Sequence, residues 1–310
     1  MRVWVVVLVG ALALVACDRA SDDPLARNRV TCANANAEAA ERDAACTALI
    51  DSGELDEAAR AEAQAHRGVA RRAAGQVTPA LRDFEAALQV DENNAEALAG
   101  RAAILLASGQ LDAVEPLVDR LIAQGDELDQ AHLMKGDIAF QRGDYQAAVA
   151  SYDEAINRNR SLALAYAHRG RAKQRLQDDL GALADFDAAV RNDNDLVDAR
   201  AARCWLSVQQ SRNLDRARGD AETAVAAAPD NVEAQLCRGV LQLRGGEWAG
   251  ARTSFEAALG IEPGNPTALF GRGVARRRSG DNDGSDDMDR ARDFDRHIGE
   301  AFDDMGVRTF

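Results

Sequence analysis

Large aromatic side chains are scarce: Phe, Tyr and Trp make up 5% of the 310 residues. A single deep globular core draws much of its bulk from such residues, so the chain is short of material for one. Basic charge is also in deficit, with 37 Lys and Arg against 51 Asp and Glu and a formal net charge of −14. That balance excludes nucleic-acid binding through a basic patch, which needs cations in excess to neutralise phosphate. Motifs that carry chemistry are missing as well. There is no Gly-rich phosphate loop with Lys and Ser or Thr, no His-Glu-x-x-His, no Gly-x-Ser-x-Gly, no Cys-x-x-Cys and no Cys/His cluster. His66, His132, His168 and His297 are scattered one per predicted helix, where an isolated imidazole is structural or solvated more often than a ligand. The acidic run Asp281–Asp289 lacks the Gly at the sixth place and the Glu at the twelfth that a calcium loop uses, and reads as a loop and helix start. No catalytic residue, cofactor, metal or small-molecule substrate is therefore expected, and the chain is read as a non-enzyme.

Only one long apolar run exists, Val3–Ala16, preceded by Arg2. It is too short to cross about 30 Å of hydrocarbon as a helix and has the layout of a secretory signal over 1–16. Its end, Leu14-Val15-Ala16-Cys17, resembles the lipobox of bacterial lipoproteins, in which the cysteine becomes the lipidated first residue; the alternative is an ordinary signal-peptidase site with an incidental Cys17. The polar stretch that follows carries Pro24 and no periodicity, so 17–30 is expected to be a flexible tether. Export to an oxidising compartment would let nearby thiols pair, and Cys32 with Cys46 is the expected disulfide, closing a loop of about 15 residues worth on the order of 3 kcal/mol. Cys204 and Cys237 fall at small-residue positions on helices and are expected to be buried, reduced thiols.

What is abundant is alanine, about a fifth of the chain, and it recurs with a 34-residue period. Counting from Ala61, with one extra residue in the 197–231 unit, the eighth slot holds Gly68, Ala102, Gly136, Gly170, Cys204, Gly239 and Gly273. Twelve residues on come Ala80, Val114, Ala148, Ala182, Ala217, Ala251 and Ser285, all small except Val114. Helices approach closely only where facing side chains are small, so this double spacing predicts helix, turn, antiparallel helix. The fifteenth slot holds Gly75, Gly109, Gly143, Gly246 and Gly280, interrupted by Gln177 and Ser211, and suits a residue just past a helix end with positive φ. Phe84, Val118, Tyr152, Phe186 and Phe255 are placed to fill the wedge between the paired helices, with Ala221 the undersized member.

This pattern, clearest in Gly136–Asn159 and Gly239–Pro263, resembles the tetratricopeptide repeat, with units 61–94, 95–128, 129–162, 163–196, 197–231, 232–265 and 266–299. The aromatic usual near each unit's start is kept only at Tyr166, and the terminal Pro only at Pro229 and Pro263. The resemblance implies an all-α fold, an α-solenoid in which antiparallel helix pairs wind as a right-handed superhelix. Residues 31–60 would form an N-terminal cap built on a helix over Ala37–Ile50, and 300–310 a C-terminal cap within an amphipathic stretch from Ile298. A basic residue precedes every small eighth slot (Arg67, Arg101, Lys135, Arg169, Arg203, Arg238, Arg272), and acids recur on second helices at Glu85, Asp119, Asp153, Asp187, Glu222 and Glu256. These predict a row of helix-to-helix ion pairs.

Function follows from the resemblance: such arrays bind peptide segments in a concave groove lined by first helices. Arg171 and Arg175 share a helical face next to Trp205 of the following unit, a setting for an acidic or carboxylate group beside an apolar anchor. Phe140, Arg171, Arg175 and Trp205 are the expected peptide-binding residues. The expected protein is an exported, periplasmic, lipid-anchored scaffold of the bacterial envelope with a protein or peptide partner; the alternative is an accessory subunit of an envelope complex handling peptidoglycan or polysaccharide.

Overall fold

A computed structural model describes residues 23–125 and 128–308, so Cys17 and the signal lie outside the described residues. Seventeen helices and no strand occur among them. The chain divides into two compact units at Arg142–Gly143. The first holds α1 (Pro24–Ala33), α2 (Ala39–Asp51), α3 (Glu57–Ala73), α4 (Val77–Val90), α5 (Ala95–Ala107), α6 (Leu111–Gln124) and α7 (Leu128–Gln141). The second holds α8 (Tyr145–Arg158), α9 (Ala163–Arg175), α10 (Asp179–Asn192), α11 (Val197–Gln209), α12 (Leu214–Ala227), α13 (Val232–Arg244), α14 (Trp248–Ile261), α15 (Pro266–Arg278), α16 (Gly284–Phe294) and α17 (Ile298–Asp304). Within each unit a second helix packs on the first helix of its own hairpin and on the first helix of the next.

The helix ends obey local chemistry. Asp56, Asn94, Asp144, Asp178, Asn231 and Asn265 each accept a hydrogen bond from the backbone N–H three residues on, satisfying a donor the helix leaves open. At the turn slot Gly75, Gly109, Gly143, Gly246 and Gly280 have φ between +70° and +87°, while Gln177 (+62°) and Ser211 (+50°) adopt the same left-handed backbone without glycine's freedom. The tether expectation needs correction: α1 starts at Pro24, where a missing N–H costs nothing, and Asp23 caps it by accepting from the Leu25 N–H at 3.0 Å. Proline here opens a helix instead of breaking one.

Each wedge aromatic sits between two hairpins. A Cβ at Gly68 would lie 2.6 Å from Phe84 Cε1, and one at Gly100, sixth slot of the following unit, 2.2 Å from Phe84 Cζ. Phe255 is held in the same way by Gly239 and Gly271, at 2.7 and 2.3 Å. Tyr152 instead meets His168 edge-on, with ring centroids 5.9 Å apart. The unit with Ala221 differs, and overturns the expectation of free thiols: Cys204 and Cys237 form a disulfide with Cα atoms 6.1 Å apart. Cys204 is the eighth slot of its unit and Cys237 the sixth of the next. Where Ala221 leaves the wedge short of an aromatic, its two flanking positions are both cysteine, and all three residues belong to one buried apolar cluster.

The last hairpin runs one residue short. Gly273 faces Gly284, whose carbonyl oxygen would lie 2.6 Å from a Cβ there, and Met288 takes the wedge. Ser285 is thus displaced from the slot expected for it.

Ion pairs link successive hairpins, and a second row of acids joins them. Arg101–Glu85 (4.0 Å), Lys135–Asp119 (2.9 Å), Arg169–Asp153 (2.5 Å) and Arg203–Asp187 (3.0 Å) tie a first helix to the preceding second helix. Arg238 departs from the row, donating to Ser254 Oγ and Gln235 Oε1 at 2.9 and 2.8 Å, and Glu256 pairs with Arg252. Buried Asp83, Asp185, Asp220 and Asp287 take two hydrogen bonds each from Arg67, Arg169, Arg203 and Arg272 of their own hairpins. A second cation, Arg71, Lys173, Arg200 or Arg276, completes each site, as a buried carboxylate requires.

At the start of the first unit Cys32 and Cys46 are joined as a disulfide between α1 and α2, with Cα atoms 4.8 Å apart. Arg42, buried, donates to the Cys32 carbonyl at 2.9 Å and to Glu96 at 3.2 Å, and His66 Nε2 lies 3.1 Å from the other Glu96 oxygen. Burial alone would raise the Glu96 pKa, but His66 and Arg42 outweigh it and hold the carboxyl below its ordinary value.

Candidate functional site

Arg171 and Arg175 lie on α9 and Trp205 on α11, both first helices of the second unit. In α9 the buried face is Ala163, Ala165, Ala167, Gly170 and Ala172. The 3.6-residue period therefore aligns Leu164, His168, Arg171 and Arg175 along the opposite side, with Leu164 44% exposed.

Arg171 and Arg175 are not equivalent. Arg171 reaches two hairpins on and grips Glu233 with both terminal nitrogens, Nη1 to Oε1 at 2.8 Å and Nη2 to Oε2. Its guanidinium also lies 5.7 Å from the centroid of the Phe186 ring. Burial alone would lower its pKa, yet the Glu233 pair and the nearby Asp198 carboxylate raise it. The acids that occupy Arg171 share the second slot of consecutive units, Asp198 and Glu233, a recurrence visible in the sequence but not used to predict the site. Arg175, one turn further, is exposed and meets no carboxylate among the described residues.

Trp205 on α11 is half-buried against the apolar cluster that includes Leu236, Val240 and Leu241. It is therefore not a free ring. Phe140 is half-buried on α7 of the first unit, whereas Arg171, Arg175 and Trp205 belong to the second. The acidic run near the last hairpin faces arginines: Asp281 and Asp283 pair with Arg276 at 2.7 and 3.5 Å, and Asp287 with Arg272 and Arg276. Those carboxylates are spent within the chain.

A further set of donors lies in the thirteenth slot, at the ends of the first helices: Arg175, Gln209, Arg244 and Arg278. Arg244 donates to the Met305 carbonyl and, at 3.0 Å, to Ser211 Oγ; Arg278 donates to the Arg308 carbonyl at 2.8 Å. Ser211 Oγ is also 3.4 Å from the Asp304 carbonyl. These are side chains reading main-chain oxygens, a recognition that does not depend on sequence.

Stacked helical hairpins with small residues at their crossings, and polar side chains displayed along the first helices, define a repeat scaffold. Models of the tetratricopeptide repeat match residues 71–138, 136–177, 206–266 and 241–296, together well over half of the chain. The chain belongs to the tetratricopeptide repeat proteins. Among solved structures, a tetratricopeptide repeat protein from Parabacteroides merdae ATCC 43184 is similar with a TM-score of 0.57 at 15% identity, over 83% of this chain and 99% of its own. PilF of Pseudomonas aeruginosa is similar with a TM-score of 0.59 at 15% identity, over 67% of this chain and 94% of its own. A thermophilic repeat protein of Thermus thermophilus, TTC0263, gives 0.50 at 21% identity, over 59% and 99%. At these identities the likeness is one of fold. No curated protein sequence matches the chain.

Proposed function

We propose that this protein is an interaction scaffold that holds a peptide segment of a partner protein against its first helices, without a catalytic step of its own. The observation that carries the reading is Arg175: an exposed guanidinium with no counter-ion among the described residues, on a face where Arg171 is already neutralised by Glu233. An acidic or carboxylate-bearing group of the partner would supply the missing charge, with Trp205 as apolar neighbour. In this reading Arg171 sets the face's geometry through Glu233 and does not clamp the ligand. Phe140 lies on the first unit and is not part of this proposal.

The lipobox-like end of the signal places the scaffold, in this proposal, outside the cytoplasm, tethered through a lipidated Cys17. Anchoring would raise the effective concentration of the groove near its partner at the membrane. No described helix is long and apolar enough to cross a membrane. The test is crosslinking in cells followed by partner identification, comparing the native chain with Arg175→Ala. Unchanged capture by the variant removes Arg175 from the site, and a partner that is an envelope enzyme favours the accessory-subunit reading.

A further inference from the structure

The last residue of α17 and those that follow it lie along the ends of the first helices in a fixed direction. The carbonyl of Asp304 meets Ser211 after α11, that of Met305 meets Arg244 at the end of α13, and that of Arg308 meets Arg278 at the end of α15. Three consecutive hairpins thus bind three carbonyls of one short stretch, in chain order. The chain leaves α17 through a left-handed turn at Gly306 (φ +76°), whose N–H donates to the Asp303 carbonyl while the Val307 N–H donates to that of Phe302; this turn buries Met305 and Val307, at 4% and 3% exposure, in the apolar cluster flanked by Trp205, Leu214, Val232 and Trp248 and leaves Gly306 and Arg308 exposed. At Gly306 the backbone lies so close to Arg244 that a Cβ would be 2.9 Å from its guanidinium carbon. Arg278 lies over the Trp248 ring, 5.8 Å from its centroid, which fixes the head that holds the Arg308 carbonyl.

A cap needs only to cover apolar surface, and α17 does that through Phe302 against Phe270, with ring centroids 4.9 Å apart. The stretch after it does more, because it uses thirteenth-slot arginines as carbonyl readers. We infer that Met305–Arg308 is a built-in ligand of this face, and that the face takes partner segments of the same chemistry, a short stretch with apolar side chains two residues apart and main-chain carbonyls turned to Arg244 and Arg278, by displacing it. The inference rests on the peptide-binding reading above and adds the class of segment bound and the competitor it must remove.

The experiment uses the full chain and, as probe, a fluorescein-labelled peptide copying residues 300–308, followed by anisotropy. In Met305→Asp/Val307→Asp the internal segment no longer fits its apolar seat, and the probe is expected to bind at least tenfold tighter than to the native chain. Adding Arg244→Ala should erase that gain, and a probe carrying the same two aspartates should not bind. Equal affinity for the native chain and the double variant overturns the inference, as does failure of the natively folded variant to bind. Gly306→Ala, which strains the left-handed backbone at φ +76° and crowds Arg244 without adding charge, serves as the second opening variant and should shift affinity in the same direction. If the double variant does not fold, hydrogen exchange on the native chain decides: excess probe should speed exchange of the Met305 and Val307 amides, and no change overturns the proposal. Crosslinks that depend on Arg175 but are indifferent to the double variant would sink this inference and leave the scaffold reading in place.

Discussion

Replacing Ala221 by phenylalanine has opposite effects in two backgrounds if the disulfide occupies the space of the missing aromatic. Elsewhere the wedge ring lies between the eighth slot of its own unit and the sixth of the next, as Phe84 does between Gly68 and Gly100. Here those positions are Cys204 and Cys237, bonded to each other. With the bond intact a ring at position 221 meets sulfur, an overpacking that costs about 1–3 kcal/mol. In Cys204→Gly/Cys237→Gly the space is open, and burying the ring contributes about 1.5–3 kcal/mol. The two effects differ in sign, so the double-mutant cycle carries a coupling on the order of 3–5 kcal/mol. The cysteine replacements themselves remove a crosslink between residues 33 apart, worth about 4 kcal/mol in the chain-entropy account, and the cycle cancels that cost. Urea unfolding followed by circular dichroism gives the four midpoints. Stabilisation or destabilisation of the same sign in both backgrounds refutes the assignment of this space.

Gly100→Ala is expected to destabilise the first unit by about 1–3 kcal/mol, because its Cβ would lie 2.2 Å from the buried Phe84 ring; urea unfolding measures the loss. Gln177→Gly relieves a φ of +62° and should stabilise the α9–α10 turn by about 1 kcal/mol, read as a higher unfolding midpoint. Glu96 has a folded-state pKa below its ordinary 4.5, so its contribution is fully present above that value and lost as pH falls through the depressed one. In Glu96→Gln the acid-side slope of stability should flatten, and an unchanged slope as pH falls below the ordinary carboxyl range would exclude the Arg42–His66 cluster as its source.

The hairpin pattern was legible because its causes are local and repeated. Small residues at the eighth and twentieth slots, left-handed glycines at the fifteenth and a wedge residue at the twenty-fourth each solve one packing problem per unit, and periodicity averages away the exceptions. Proline at the head of α1 was misread because only the Asp23 cap distinguishes a helix start from a breaker. The outer row of ladder acids could be read in the same way, but the buried row of Asp83, Asp185, Asp220 and Asp287 could not be read from charge alone. Asp83, Asp185 and Asp220 stand two residues before the outer acids Glu85, Asp187 and Glu222, and burial is decided by what packs over them.

The amino-acid order alone therefore settled the class of fold, since the small-residue slots and left-handed turns recur in every unit and each answers to residues close in the chain. Contacts between residues 30 to 93 apart were decided by stacking: the Cys204–Cys237 bond beside Ala221, the Arg171–Glu233 pair that spends a predicted ligand-binding cation, and the seat of Asp304–Arg308 on Ser211, Arg244 and Arg278. Charge and polarity say that a side chain needs a partner, but only the packing of successive hairpins determines whether that partner comes from within the chain or must be supplied by another protein.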